Sequence, residues 1–499
     1  MTERIPLWLD LRPLRAAALA AVALVGAAGL VAVRDQDPMT ALALGVCVAF
    51  MVDVVLRAEL SIVFSLALVA SVLSGHTNDL GIPFPPDRLI FAAGVARLAW
   101  ETWRDNLRPE RPAPRHPGYG TPHVLALVAA AYALVSFAWS IDWQSRSSTF
   151  ELIDRFGIVP FIYFALAPVV FATERARKHL LVAMTLLGGY LGLTAIFEIV
   201  GPRSLVFPRY IANPDVGITF GRARGPFAEP GSNGLAMHAA IVCTLLLLSL
   251  YPHRLSRTVK LLCGGVLVVC IVGILLTLTR QVWLASVVSM SFAGLLTPRG
   301  RRLLVPAALI VAIVAGSAYL AVPGLRDNVI TRAGDAFPVW DRRNLNSAAV
   351  RMFQERPLTG WGWNGFHVNR LRFFQQADTY PLTTPTVGVH NVFLANLADL
   401  GLIGTVLWAF ALLAALGGAL LRRAPPDLAP WRTALVAIAI AWIVVANLSP
   451  LNTALPNSLV WLWVGIVWRP LAQPRTAARP VDPPEPDTPP TRRLDLVGA

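Results

Sequence analysis

Residues 260–297 read KLLCGGVLVVCIVGILLTLTRQVWLASVVSMSFAGLLT, and this stretch decides the fold class. A helix rises about 1.5 Å per residue, so the run is too long for one crossing of a hydrocarbon core of about 30 Å and suits two crossings. After Lys260 the only charged residue is Arg280, which marks the turn. The stretch therefore predicts two membrane helices joined near Arg280.

The composition extends this interpretation to the whole chain. Of its 499 residues, 55% are apolar and 14% are charged, whereas an ordinary soluble domain has about 25% charged residues. These proportions exclude a soluble globular enzyme, a disordered chain and a collagen-like repeat. They predict an all-α integral membrane protein with about 12–14 transmembrane helices. The candidate runs are 16–33, 40–57, 59–74, 87–101, 122–140, 156–172, 179–199, 233–250, 260–278, 281–297, 303–322, 391–421, 432–449 and 455–471.

The distribution of basic residues predicts the orientation of the chain. The positive-inside rule explains a net charge of +14 in a multi-pass membrane protein better than nucleic-acid binding does. With a cytoplasmic N-terminus, 25 of the 43 basic residues fall on the cytoplasmic side, and 13 of the others concentrate in three outer segments. These segments are 200–232, the turn at Arg280 and the long, partly helical periplasmic loop 323–390. We therefore expect cytoplasmic termini and a positively charged outer surface.

Two arginines lie in the first outer segment, where residues 220–236 read FGRARGPFAEPGSNGLA. Glycine and proline disfavour a regular helix here, and Arg222 and Arg224 come just before an apolar run. Their guanidinium groups either anchor the chain at the lipid headgroups or bind a phosphate group. The same alternatives apply to Arg280, for which the neighbouring outer arginine clusters favour anion binding.

The outer loop 323–390 is too long for a simple connection. Its residues 356–367 read RPLTGWGWNGFH, in which glycines alternate with tryptophans. Trp361 and Trp363 are either sugar-stacking residues or tryptophans of the membrane-interface belt. Arg356, beside them, is a further candidate for binding a glycan.

His390 is the main candidate for a general base. It stands at the end of the loop, directly before Asn391 and the next apolar run. The positive end of a helix dipole disfavours an imidazolium, so this histidine should stay neutral near pH 7 and accept a proton. The alternative is a polar residue beside a helix-capping Asn391. His76 and His367 rank lower, and His238 is an interior residue or supports the site.

These side chains fit one substrate chemistry. Arginine binds phosphate through paired hydrogen bonds and keeps its charge, while a neutral histidine deprotonates a hydroxyl group. A substrate that carries both a diphosphate and a sugar uses both groups, and at a membrane that substrate is a polyprenyl-diphosphate-linked glycan. Arginine would stabilise the departing diphosphate, where negative charge develops in the transition state.

Four segments of the chain resemble the O-antigen ligase and O-antigen polymerase superfamily of bacterial membrane glycosyltransferases. They are Arg224–Phe227 with Pro230 and Asn233, Thr279–Arg280, Pro357–Gly362 and His390–Gly404. The resemblance implies a division of the chain into N-terminal transmembrane helices at 1–199, a catalytic region at 200–421, C-terminal transmembrane helices at 422–472 and a disordered Pro-rich cytoplasmic tail at 473–499.

The resemblance also implies the activity. It assigns catalysis to His390, Arg224 and Arg280, with Arg222, Arg356, Trp361, Trp363 and Asn391 as substrate-binding candidates. The implied enzyme is metal-independent and inverting, needs no cofactor, and lies in the bacterial inner membrane. It would transfer a glycan from a polyprenyl-diphosphate carrier to a glycan, lipid or protein acceptor during surface polysaccharide or lipopolysaccharide synthesis. Its partners would be these substrates and membrane lipids, without nucleic acid.

Three alternatives stay open at this point. A repeat-unit polymerase of the same superfamily would use the same donor. Asp35 and Asp37 form an acidic pair that either holds a divalent metal or is simply polar sequence beside the membrane. A flippase for lipid-linked oligosaccharides also has many spans, but it needs polar residues along a central pathway, whereas the apolar runs here carry few charges besides Arg97.

Overall fold

The computed structural model describes residues 53–80, 85–106, 119–140, 143–322, 324–334, 336–375, 388–422 and 425–468. Within these ranges the chain is helical and contains no β-strand, which confirms the predicted all-α class. The predicted span 16–33, most of 40–57, the Asp35 and Asp37 pair and the tail 473–499 lie outside the described residues.

The described helices follow the predicted apolar runs. The first group is α1 (Leu60–Ala70), α2 (Pro86–Asn106), α3 (Thr121–Ala138), α4 (Arg146–Glu151), α5 (Ile158–Val170) and α6 (Glu174–Ile199). The second group is α7 (Pro230–Leu250), α8 (Arg257–Leu276), α9 (Arg280–Leu295) and α10 (Pro298–Ala321). The long loop contains α11 (Leu325–Gly334), α12 (Phe337–Glu355) and α13 (Gly365–Asn369), and the chain continues with α14 (Val392–Leu421), α15 (Ala429–Ala446) and α16 (Ala454–Val467).

Eight helical segments in the described part of the chain are long and apolar enough to cross a membrane. The chain is therefore a multi-pass membrane protein, as predicted. The expected turn at Arg280 is present, because α8 ends at Leu276 and α9 begins at Arg280. The expected helical content of the long loop is present in α11, α12 and α13.

Two apolar helices show where the core and the outer surface of the bundle lie. Every residue of α16 is buried, as expected for a helix that is apolar on all sides. It packs mainly against α5 and α15. In α10 only Ala318 is buried, so its apolar side chains point away from the protein, where a membrane protein meets lipid.

Helix ends and connections meet at one end of the bundle, which we call the site end. It comprises residues 200–232, 276–281, 336–375, 388–391 and 447–453. The backbone N–H of Ala223 donates to the carbonyl oxygen of Leu276 at 3.0 Å. The hydroxyl of Thr453 donates to Oγ of Ser232 at 2.8 Å. These contacts bring segments that are distant in sequence into one place.

Candidate active site

Arg224 is completely buried under the segment that leads into α7. Its guanidinium donates to the carbonyl oxygens of Ile211 at 2.7 Å, Asn213 at 3.0 Å and Val216 at 2.5 Å. Its Nε lies 3.5 Å from a carboxylate oxygen of Glu198 in α6. A buried cation needs such partners, because it has lost its hydration. The side chain therefore holds residues 211–216 against α6.

Asn233 supports the turn that contains Arg224. Its side chain is fully buried, and Nδ2 donates to the carbonyl oxygen of Ala223 at 3.1 Å. Gly225 has a φ of +56°, and a Cβ added there would lie 2.4 Å from Oδ1 of Asn233, so the position requires glycine. The Pro230–Asn233 segment therefore places an asparagine against this turn. Arg222 is half-buried at the start of the same turn.

The turn between α8 and α9 presents Arg280 at the surface. Leu278 adopts a φ of +49°, which turns the chain sharply before α9. Arg280 is exposed, and the neighbouring Gln281 is buried. Oε1 of Gln281 accepts a hydrogen bond of 2.9 Å from Nη2 of Arg342. This contact ties α12 of the long loop to the start of α9.

Arg342 is a further candidate residue, which the sequence analysis did not single out. Burial lowers the pKa of its guanidinium, and the positive charge of Arg280 lowers it further. Two cations placed so that the charge of one lowers the pKa of the other form a favourable place for an anion. The only signal in the sequence is its position within Asp341–Arg343, three consecutive charged residues in a loop rich in arginine.

His390 is half-buried and lies directly before α14. Burial and then the charge of Arg342 lower its pKa to about 4, against the opposing effects of Asp341 and the backbone of Leu448. The imidazole is therefore neutral at pH 7, as predicted. The cause differs from the prediction, because burial and the charge of Arg342, rather than the helix dipole, lower its pKa. Its Nδ1 is buried and has no hydrogen-bond partner among the described residues.

Asn391 is the N-cap of α14, as predicted. Its Oδ1 accepts hydrogen bonds from the backbone N–H groups of Phe393 at 2.9 Å and Leu394 at 3.1 Å. Its Nδ2 donates to Oδ1 of Asn447, just beyond α15, at 3.2 Å. Both ends of the amide are thus held by protein groups beside His390.

The segment 357–361 and helix α14 form one structural unit. Helix α14 is broken at Gly401, which has φ of +63° and ψ of −166°. At this break the N–H of Leu402 donates to the carbonyl oxygen of Pro357 in the loop at 2.8 Å, in place of a hydrogen bond within the helix. A Cβ on Gly401 would lie 2.4 Å from the carbonyl oxygen of Leu358. Two of the segments that carry the family resemblance therefore touch each other.

The two tryptophans of the loop motif have different surroundings. Trp363 is fully buried, its Nε1 donates to the carbonyl oxygen of Ser148 at 3.0 Å, and its ring packs edge-on against Phe156. This packing leaves no ring face open to a sugar. Trp361 is half-buried, and the exposed Arg356 stacks over its ring at 4.0 Å. Trp361 and Arg356 are thus the accessible part of the motif.

The other histidines considered from sequence have protein partners. The contacts are His238 with Ser289 at 3.1 Å, His76 with Asp79 at 2.9 Å and His367 with Arg370 at 2.8 Å. Across the described ranges, histidine, cysteine and acidic side chains form no group of three or more that could hold a metal ion.

Residues 265–409 match the family described as O-antigen ligase. The matched region contains Arg280, Arg342 and His390, and the segment with Arg224 precedes it. A search of curated proteins found no match. The family match agrees with the resemblance inferred from the motifs, and it supports a ligase-type or polymerase-type function in general.

Proposed function

We propose that this chain, which carries an O-antigen ligase region at residues 265–409, transfers a glycan from a polyprenyl-diphosphate carrier to an acceptor hydroxyl group. The observation that carries the proposal is the half-buried imidazole of His390, which is neutral because burial and the charge of Arg342 lower its pKa. The charge of Arg280 acts on Arg342 in the same way, so two cations lie beside this neutral imidazole. The imidazole of His390 would accept a proton, and the guanidinium groups of Arg280 and Arg342 would neutralise the charge of a diphosphate.

The proposed reaction is a direct displacement. The oxygen of the acceptor hydroxyl attacks the anomeric carbon of the carrier-linked sugar, and its proton passes to His390. The bond from that carbon to the diphosphate oxygen breaks, and the electron pair leaves with the polyprenyl diphosphate. Arg280 and Arg342 stabilise the charge that develops on this leaving group. Attack on the side opposite the leaving group inverts the anomeric configuration, and no step in this scheme calls on a metal ion.

The remaining candidates take supporting parts in the proposal. The carbonyl groups around Arg224 and its contact with Glu198 favour a role in holding the 200–232 segment, rather than in touching the diphosphate as expected from the sequence. Trp361 and Arg356 would contact the glycan, with Arg222 at the edge of the site. The burial of Trp363 favours a packing role.

We further propose that the site end faces the periplasm and that the protein lies in the bacterial inner membrane with cytoplasmic termini. This orientation follows from the positive-inside rule, because a cytoplasmic N-terminus puts 25 of the 43 basic residues on the cytoplasmic side, in the segments that alternate with those of the site end. It would let the enzyme act on lipid-linked glycans that have already crossed the membrane, during surface polysaccharide synthesis.

The test is a deletion strain that carries the native gene, the His390→Ala variant or the matched control His253→Ala, which changes an exposed histidine between α7 and α8. We expect His390→Ala to lose transfer by about 10²-fold or more at an unchanged amount of protein in the membrane. Glycans are then extracted with their carrier. Full-length polymer stranded on the carrier indicates a ligase, and single repeat units without polymer indicate a polymerase.

A result in which His390→Ala behaves like the native protein would exclude His390 as the base. It would also favour the transporter alternative, because a transporter needs no proton acceptor at this position.

A further inference from the structure

The connection between α15 and α16, residues 447–453, lies outside the region that matches the family. It nevertheless contacts two parts of the proposed site. Oδ1 of Asn447 accepts a hydrogen bond from Asn391 at 3.2 Å, beside His390. At the other end of the connection, Thr453 donates to Ser232 near the start of α7 at 2.8 Å. We call this connection the 447–453 loop.

The 447–453 loop is held by a buried asparagine of the following helix. Nδ2 of Asn457 donates to the carbonyl oxygens of Leu451 at 2.9 Å and Thr453 at 3.1 Å. Its Oδ1 accepts a hydrogen bond of 2.8 Å from the indole of Trp442 in α15. Leu451 has a φ of +46°, a conformation that a branched side chain keeps only where its surroundings enforce it. The loop therefore has a defined shape.

We infer that the 447–453 loop is a positioning element for His390 and that Asn447 acts through its hydrogen bond to Asn391. The inference rests on the proposed function for its catalytic meaning. Asn391 is joined to His390 by one peptide bond, and its amide is fixed on one side by α14 and on the other by Asn447. The backbone of Leu448, next to Asn447, also interacts with the imidazole. A small displacement of a catalytic base lowers the rate strongly, so a rigid support is useful here.

The surroundings of the imidazole give the inference a measurable signature. The groups that act on His390 are Arg342 and Asp341 of α12 and the backbone of Leu448 in the 447–453 loop, together with burial. The Asn447–Asn391 hydrogen bond lies at the surface, so its loss would act by letting the chain at His390 move. Movement of the imidazole out of its half-buried place would raise its pKa toward the ordinary value of about 6.5. The imidazole would then titrate in a pH range where it is neutral in the native protein.

The experiment measures carbethoxylation of His390 by diethyl pyrocarbonate, which reacts with neutral imidazole. The full-length protein in lipid nanodiscs is labelled at several pH values between 5.5 and 8, and the modified peptide is quantified by mass spectrometry. Exposed His253 serves as the internal reference. The variants are Asn447→Ala and, as a matched control on α15, Thr433→Ala, whose hydroxyl donates to the backbone carbonyl of Ala429.

We expect slow labelling of His390 in the native protein, with a rate that changes little over this pH range. In Asn447→Ala the rate at pH 7 should rise, and it should increase with pH between 5.5 and 7.5, by about tenfold if the ordinary pKa is restored. Thr433→Ala should match the native protein.

Unchanged labelling in Asn447→Ala, or equal changes in Thr433→Ala, would overturn the inference. The proposed function is tested separately by transfer in the same strains. If labelling changes as expected while His390→Ala retains transfer, the positioning contact stands and the catalytic proposal fails. If His390→Ala is inactive and labelling does not respond to Asn447→Ala, the catalytic proposal stands and the positioning inference fails.

Discussion

The buried turn around Arg224 and the group formed by Arg280, Arg342 and His390 lie at the same end of the bundle and use positive charge differently. Arg224 is enclosed by backbone carbonyl groups and faces the carboxylate of Glu198. Among the described residues, Arg342 donates to an amide oxygen rather than to a carboxylate, and the positive charge of Arg280 lowers its pKa. A cation with protein partners stabilises the fold, whereas cations that face each other favour an anionic ligand.

The largest expected effect is a loss of transfer on replacement of Arg280, which replacement of Arg224 should not reproduce at a normal amount of folded protein. Arg280→Met should lower transfer by about 10²–10³-fold, because it removes a charge that stabilises the leaving group. The amount of folded protein should stay near that of the native chain, since Arg280 is exposed. Arg224→Met should instead lower the amount of folded protein, because removal of one partner of a buried ion pair costs about 3–5 kcal/mol.

Both quantities are measured in the same membranes, the amount of protein by immunoblot and by heating in detergent, and transfer by the glycan that reaches the acceptor. Native abundance of Arg224→Met together with loss of transfer would remove the distinction between the two regions. Arg224 would then belong to the diphosphate site, as first expected from the sequence.

A smaller effect is expected at the edge of the site. Arg356→Ala should reduce transfer by about threefold, since an exposed guanidinium stacked on the half-buried ring of Trp361 contributes about 0.5–1 kcal/mol to the arrangement of this part of the site. The measurement is the initial rate at low donor concentration, with Arg343→Ala, another exposed arginine of the same loop, as the control. A loss as large as that of Arg280→Met would show that Arg356 belongs with the diphosphate-binding cations.

The smallest expected effect is the response of the native enzyme to pH. A pKa of about 4 leaves His390 almost fully deprotonated above about pH 5, so transfer should change less than about twofold between pH 5.5 and 7.5. Arg342→Met removes a charge that depresses this pKa, so the acid limb of its residual activity should move to higher pH. If the activity of the native enzyme fell on the acid side with a midpoint near pH 6.5, burial and Arg342 would not lower the pKa of His390 during catalysis.

The sequence predicts the described membrane helices and the local setting of two candidate site residues. Apolar runs predict membrane helices because the bilayer imposes length and hydropathy on each run separately, and the single charge of Arg280 marks a turn in the same way. The place of His390 before a helix and of Asn391 as its N-cap is predicted correctly because a helix start is a local feature. The neutral state of His390 was predicted correctly, but its main cause, burial, depends on elements far away in the chain.

The features that sequence reasoning missed depend on tertiary contacts. Nothing local distinguishes Arg342 from Arg343, and only the approach of α12 to Gln281 makes the difference. The different environments of Trp361 and Trp363 follow from which ring meets Ser148 and Phe156. The burial of Arg224 likewise results from the fold of residues 211–216 over it, which no spacing of residues reveals.

The break of α14 at Gly401 has a consequence for engineering. Because Leu402 donates to Pro357, the helix and the loop complete each other's backbone hydrogen bonds, and a glycine is required where they cross. A hybrid in which only the loop comes from a related protein could displace the carbonyl oxygen that pairs with the N–H of Leu402. Exchange of this loop between related proteins should therefore transplant residues 357–403 together, so that the crossing at Gly401 is kept.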